Sequence, residues 1–113
     1  MGENLISAHT LYTDMQPLNE EELTQELDEL EHWSENEGFL VTAFEFPDFL
    51  AAIDFVGVVA ELAEEFKHHP QIFIDYNVVE LQLRTHDADA ITQLDIDFAH
   101  AIEDLDGYTE EGS

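Results

Sequence analysis

The chain has 113 residues, 44% of them hydrophobic, and sets 28 Asp and Glu against two cations, Lys67 and Arg84, for a formal net charge of -26. That length can bury one hydrophobic core but not two, and eight Phe, three Tyr and one Trp exclude compositional disorder. Two cations cannot build a basic surface for nucleic acid or an anionic membrane, and with no Cys there are neither disulfides nor thiolate metal sites.

In chain order, residues 1–17, "MGENLISAHTLYTDMQP", have no hydrophobic period and read as a flexible N-terminal extension. The stretch lacks the basic and apolar regions of a secretory signal, and Ile6 breaks the myristoylation pattern that Met-Gly begins. A single domain is expected over residues 18–106, with a loose tail at 107–113. Asn19 with Glu22 makes a capping box, Leu18 with Leu23 a hydrophobic staple, and Leu23, Leu27 and Leu30 one stripe, which predicts a surface helix over 20–32. "SENEG" is a turn, and "FLVTAFEF" reads as a strand, with Trp33 on a short strand before it.

Pro47 and Asp48 open the longest helix, about 48–67. Phe49, Ile53, Val56, Ala60 and Ala63 are expected on one face, widened by Phe55, Val59, Leu62 and Phe66. Pro70 forbids its continuation. "IFIDY" and "VVELQLRT" then read as two strands about a tight turn at Asn77, with Val79, Leu81, Leu83 and Thr85 facing one way and Glu80, Gln82, Arg84 and His86 the other. The last helix, about 93–105, is capped by Thr92, with Asp95 completing a second capping box and Ile91 and Ile96 a second staple. The order α-β-β-α-β-β-α implies the α+β class, a four-stranded antiparallel sheet with helices packed on one face.

The acids lie in every segment, which favours a solvation role in a salt-rich cell over a docking surface for a basic partner. At about 1 M salt the Debye length is about 3 Å and neighbouring carboxylates barely repel. A halophilic protein that loses stability in dilute buffer is expected. With no run of eighteen apolar residues, a soluble, cytoplasmic location is expected too.

Three of the six His stand in "EEFKHHPQIFIDYNVVELQLRTHDADAITQLD", residues 64–95. A lone His at a helix end ordinarily serves the last carbonyls and the dipole. Two in a row before Pro, with His86 ending a strand, suggest a site. Adjacent residues at a helix end diverge by about 100°, so His68 and His69 are poorly spaced to share a zinc ion. Imidazoles around a cleft suit proton transfer near neutrality. No nucleophile or Gly-rich phosphate loop accompanies them, which leaves elimination or addition of water on a neutral substrate as the fitting chemistry. His9, His32 and His100 are expected on the surface.

The pattern formed by Glu64, His68, His69, Pro70, Tyr76, His86 and Asp95 resembles that of the pterin-4a-carbinolamine dehydratases. "FEFPDFLAAIDFVGVVAELAEE", residues 44–65, is similar to the strand and helix that precede it in that family. The likeness spans about residues 18–105. It implies dehydration of 4a-hydroxytetrahydropterin to quinonoid dihydropterin with no cofactor and no metal, in recycling of the pterin used by aromatic amino-acid hydroxylases. It also implies association into homodimers or homotetramers, partly through the sheet and the long helix. Carried over residue by residue, the catalytic set is His68, His69, His86, Glu64 and Asp95. His68 and His86 would be general acids, His69 would hold the pterin, and Glu64 and Asp95 would orient the imidazoles. The pterin would lie against Lys67, His68, His69, Pro70, Arg84, Thr85, His86 and Asp87. Some relatives carry Trp shortly after His-His-Pro where this chain has Ile72. Alternatives the resemblance admits are a non-catalytic pterin-binding or protein-dimerisation module and dehydration of a molybdenum-cofactor or folate-like pterin.

Overall fold

The computed structural model describes residues 16–105. The remainder of the expected N-terminal extension and the tail from 107 onward lie outside the described residues, as does His9. In chain order the elements are α1 (Glu20–Asp28), β1 (Ser34–Asn36), β2 (Phe39–Glu45), α2 (Phe49–Phe66), β3 (Gln71–Asp75), β4 (Val78–Leu83) and α3 (Gln93–Glu103). The four strands form one antiparallel sheet in the order β1-β2-β4-β3. This is the α+β architecture expected from the sequence.

Both capping boxes form. Asn19 Oδ1 accepts from the Glu22 N–H at 2.8 Å, and the Glu22 carboxylate returns to the Asn19 N–H at 3.0 Å. Such a cap is worth about 1 kcal/mol. Helix α1 nevertheless stops at Asp28, short of the predicted 32. The Glu103 carboxylate takes the N–H groups of Glu31 and His32 instead, at 3.3 and 2.9 Å. That turn drops Leu30 and Trp33 into the core.

Alternation along β2 and β4 puts Leu40, Thr42 and Phe44 beside Leu83, Leu81 and Val79 on one buried face. Helix α2 covers that face with Ala52, Phe55, Val59 and Ala63, and α3 with Ile96, Phe98, Ala99 and Ile102. Burying each of the larger apolar side chains contributes about 1.5–3 kcal/mol. The apolar face expected for α2 is corrected here. Its buried stripe is 52/55/59/63, whereas Phe49, Leu50 and Ile53 stay exposed at 46%, 75% and 39%. The apolar set is wide enough to hold two adjacent stripes, and periodicity alone does not say which one meets the sheet.

Asp48 caps α2 through the Ala51 N–H at 2.9 Å. The helix ends with Lys67 in the left-handed region at φ 54°. Between β3 and β4, Tyr76 takes φ 54°, and Asn77 ties the turn to Phe46 by Nδ2 to the carbonyl at 2.7 Å. Pro17 pairs with Thr92 in an isolated bridge, so the described domain closes on itself from its first residues.

Candidate active site

Two backbone reversals bring the histidines together. Lys67, in the left-handed conformation, terminates α2, and the His68 N–H returns to the Ala63 carbonyl at 3.0 Å. The reversal sends the two adjacent imidazoles apart: His68 is buried, at 8% exposure, while His69 is exposed. At the far end of β4 the inward alternation continues to Thr85, which bridges back to Ala90. The tight loop between them, with Asp89 at φ 57°, carries His86 and Asp87 into solvent.

Asp95 is the hub of the buried half. Its residue is fully buried; Oδ1 meets His68 Nε2 at 2.5 Å, and Oδ2 accepts from the Thr85 hydroxyl at 2.8 Å and the Thr92 N–H at 2.9 Å. The Thr85 and Thr92 hydroxyls are also 2.7 Å apart. One carboxylate therefore caps α3, ties the end of β4 to it and fixes the edge of the His68 ring. Facing a carboxylate, Nε2 is the protonated nitrogen, and Nδ1 has no hydrogen bond among the described residues. The ring also lies edge-on to Phe98, with centroids 6.1 Å apart. The outer half is looser. His69 Nε2 lies 2.9 Å from Glu64 Oε2, with both side chains more than half exposed.

A cavity of about 330 Å³ is lined by Lys67, His68, His69, Arg84, Thr85, His86, Asp87 and Leu94. A second one of about 180 Å³ shares the wall of His69, Arg84 and His86 and is completed by Phe39, Gln71 and Gln82. Arg84 stands between them. Its Nη2 donates to the Asp89 carbonyl at 3.0 Å and to Asp89 Oδ1 at 2.5 Å, and its guanidinium lies 5.0 Å from the centroid of the Phe39 ring.

Of the residues expected at the site, seven of the eight named for binding line the larger cavity; Pro70 does not. Glu64 and Asp95 stand behind His69 and His68 respectively, without lining it. Tyr76 is 62% exposed in the β3–β4 turn, at the opposite end of the sheet. Sequence reasoning missed Leu94, Phe39, Gln71 and Gln82. The last two are cross-strand partners in the β3–β4 register, and Gln82 was already placed on the outward face with Arg84. Among the described residues, the metal-competent set is Glu26, Glu29 and His100, whose donor atoms lie within 4.8 Å of one another between α1 and α3; it includes none of the cleft histidines. His100 is half-buried there, not on the surface as expected, and His32 is exposed and pairs with Glu103 at 3.4 Å. Among the described residues, no helix is long and apolar enough to cross a membrane.

Residues 16–105 match the sequence profile of the pterin 4 alpha carbinolamine dehydratase family. A Sulfurisphaera tokodaii protein provisionally named pterin-4-alpha-carbinolamine dehydratase is 40% identical over 91 residues, covering 80% of this chain and 98% of its own. One from Chloroflexus aggregans with the same provisional name is 45% identical over 94 residues, covering 82% and 100%. The crystal structure of a transcriptional coactivator/pterin dehydratase from Brucella melitensis superposes with a TM-score of 0.75 at 33% identity, over 78% of this chain and 96% of that one. A pterin dehydratase-like RuBisCO assembly factor of the alpha-carboxysome shares the fold, with a TM-score of 0.58 at 23% identity, over 70% and 94% of the two chains. With the profile spanning the described domain from end to end, the chain belongs to the pterin-4a-carbinolamine dehydratase family.

Proposed function

We propose that the protein is a hydro-lyase that dehydrates a 4a-hydroxytetrahydropterin to the quinonoid dihydropterin by histidine acid–base catalysis. The observation that carries this reading is the buried His68–Asp95 pair, locked by Thr85 and Thr92, at the wall of a cavity that His69 and His86 also line. The α3 cap and the tie to β4 need only the Asp95 carboxylate, so an imidazole buried against it is what an acid–base site adds. Desolvating such a pair costs several kcal/mol before their attraction offsets it.

In the reaction, a protonated imidazole delivers its proton to the 4a-hydroxyl, which leaves as water. The lone pair of N5 closes the C4a=N5 double bond, and a ring N–H proton is released to a base, so the catalyst recovers its proton. His68 and His86, both lining the cavity, are the two acids. Asp95 holds the His68 ring in place through Nε2, and Glu64 does the same for exposed His69, which positions the pterin. The wall formed by Lys67, Arg84, Thr85 and Asp87 completes the pocket. General acid catalysis of this kind contributes about 10²–10⁴-fold.

The exposed apolar side chains fit the second expectation, association with further copies. Phe49, Leu50 and Ile53 project from α2, and Phe73 and Ile74 lie on β3, an edge strand. An edge of this kind has unpaired backbone groups that another sheet can take up. We take both surfaces as interfaces of a homodimer or homotetramer.

The test is turnover of chemically generated 4a-hydroxytetrahydropterin in molar salt, with chelator present, by wild type, His68→Ala and His86→Ala. Loss of rate in both variants supports the two-acid reading. Full activity in both would overturn it.

A further inference from the structure

In a chain with 28 acidic residues, the only two cations are Lys67 and Arg84, and both line the same cavity of eight residues. Arg84 is held in part by Asp89 and the Phe39 ring, whereas Lys67 has no such contact among the described residues. Lys67 occupies the left-handed position that ends α2, where Gly or Asn would be cheaper by about 1 kcal/mol, so a lysine is kept there against local preference. The ammonium makes no ion pair with any described carboxylate, although acids crowd the helix end at Glu61, Glu64 and Glu65. Arg84 is engaged through Nη2 and the face of its guanidinium, but its Nε is buried and has no acceptor among the described residues. A buried donor left unpaired costs about 1–3 kcal/mol, a cost that a bound acceptor would remove.

The pterin ring is uncharged and requires no cation. Beyond the wall of His69, Arg84 and His86 lies the second cavity, which adds the amides of Gln71 and Gln82. Asp87, exposed at the rim, is the one acid of the larger cavity's lining. We propose that the substrate carries a negatively charged group, a phosphate or a carboxylate, on the side chain of its pterin ring, and that Lys67 and Arg84 hold it. This inference rests on the pterin reading above and specifies which pterins the site prefers.

The electrostatics are consistent with a salt-rich setting. At low ionic strength a net charge of -26 would repel such a substrate at long range. At about 1 M salt, with screening over about 3 Å, that repulsion vanishes, while charges in direct contact with the ligand still act. Two contact cations are then sufficient for selectivity.

The experiment uses stable, fully oxidised pterins, whose fluorescence quenching reports binding without turnover. Pterin-6-carboxylate, 6-hydroxymethylpterin phosphate and neutral 6-hydroxymethylpterin are titrated into the full chain in molar salt. The expected result is about tenfold tighter binding of at least one anion than of the neutral pterin, a preference that collapses in Lys67→Gln and returns in Lys67→Arg. The larger of the two anion ratios identifies the source of the charge. Equal affinities for all three, or a preference that survives Lys67→Gln, overturns the inference while leaving the pterin reading intact. Failure of every pterin to bind folded protein overturns both.

Discussion

Replacing Asp95 by Asn separates the two tasks that one buried carboxylate performs. Oδ2 serves the α3 cap and Thr85; Oδ1 serves His68. An asparagine in the same pose keeps an oxygen for the Thr92 N–H and the Thr85 hydroxyl, so the cap survives. Its amide NH₂ then faces Nε2, which must switch from donor to acceptor, driving the ring proton to Nδ1. Exchanging one charge-assisted hydrogen bond for a neutral one costs about 1–2 kcal/mol, or a fall in Tm of about 4–8 °C for each kcal/mol in a domain of this size. The effect on turnover is far larger if His68 is an acid that Asp95 holds: kcat falls at least about 10²-fold with KM little changed. Ala in place of Asn would also strip the cap and leave the Thr92 N–H and His68 unpaired, adding about 1–3 kcal/mol for each. Asn is therefore the informative variant. Turnover followed by ultraviolet absorbance in molar salt, beside circular dichroism of the same samples, measures both effects. An Asn variant with wild-type kcat would show that Asp95 is a helix cap and nothing more.

Three further outcomes are expected. Because His86 is exposed on a loop, His86→Ala should lower kcat by about 10²-fold while moving stability by no more than about 0.5 kcal/mol, as thermal unfolding will report. Lowering salt from about 1 M to about 0.01 M lengthens screening from about 3 to about 30 Å, so Tm should fall steadily as the acidic surface repels itself; a Tm independent of salt would refute the halophilic reading. Leu50, 75% exposed in the single chain, should be covered in the oligomer, so that Leu50→Glu lowers the mass seen by light scattering with secondary structure retained. Wild type that is already monomeric in molar salt would remove the basis for that expectation.

The parts of the fold legible in the sequence are those governed by local chemistry. Asn19 with Glu22 and Thr92 with Asp95 are capping boxes whose spacing alone specifies the geometry, and both are present. The alternation Val79, Leu81, Leu83, Thr85 needs only the period of a strand, and all four are buried. Long-range placement was less legible. Helix α1 ends at Asp28 because Glu103, more than seventy residues away, takes the next N–H groups. The stripe of α2 that meets the sheet depends on the roll of the helix, which an apolar set this wide does not determine. At the site, the His-His-Pro and Thr-His-Asp stretches could be read directly. Gln71 entered only through the β3–β4 register, and Leu94 only because α3 returns to the end of β4. Asp95 was visible twice, as cap and as site residue, and the structure puts both contacts on one carboxylate.

The most direct measurement is the initial rate at which wild-type protein, desalted of metals with chelator and held in molar salt, dehydrates freshly generated 4a-hydroxytetrahydropterin. A rate well above the spontaneous one, unaffected by the chelator, is what histidine acid–base catalysis predicts. A rate equal to the spontaneous one, from protein shown to be folded, would contradict the dehydratase reading.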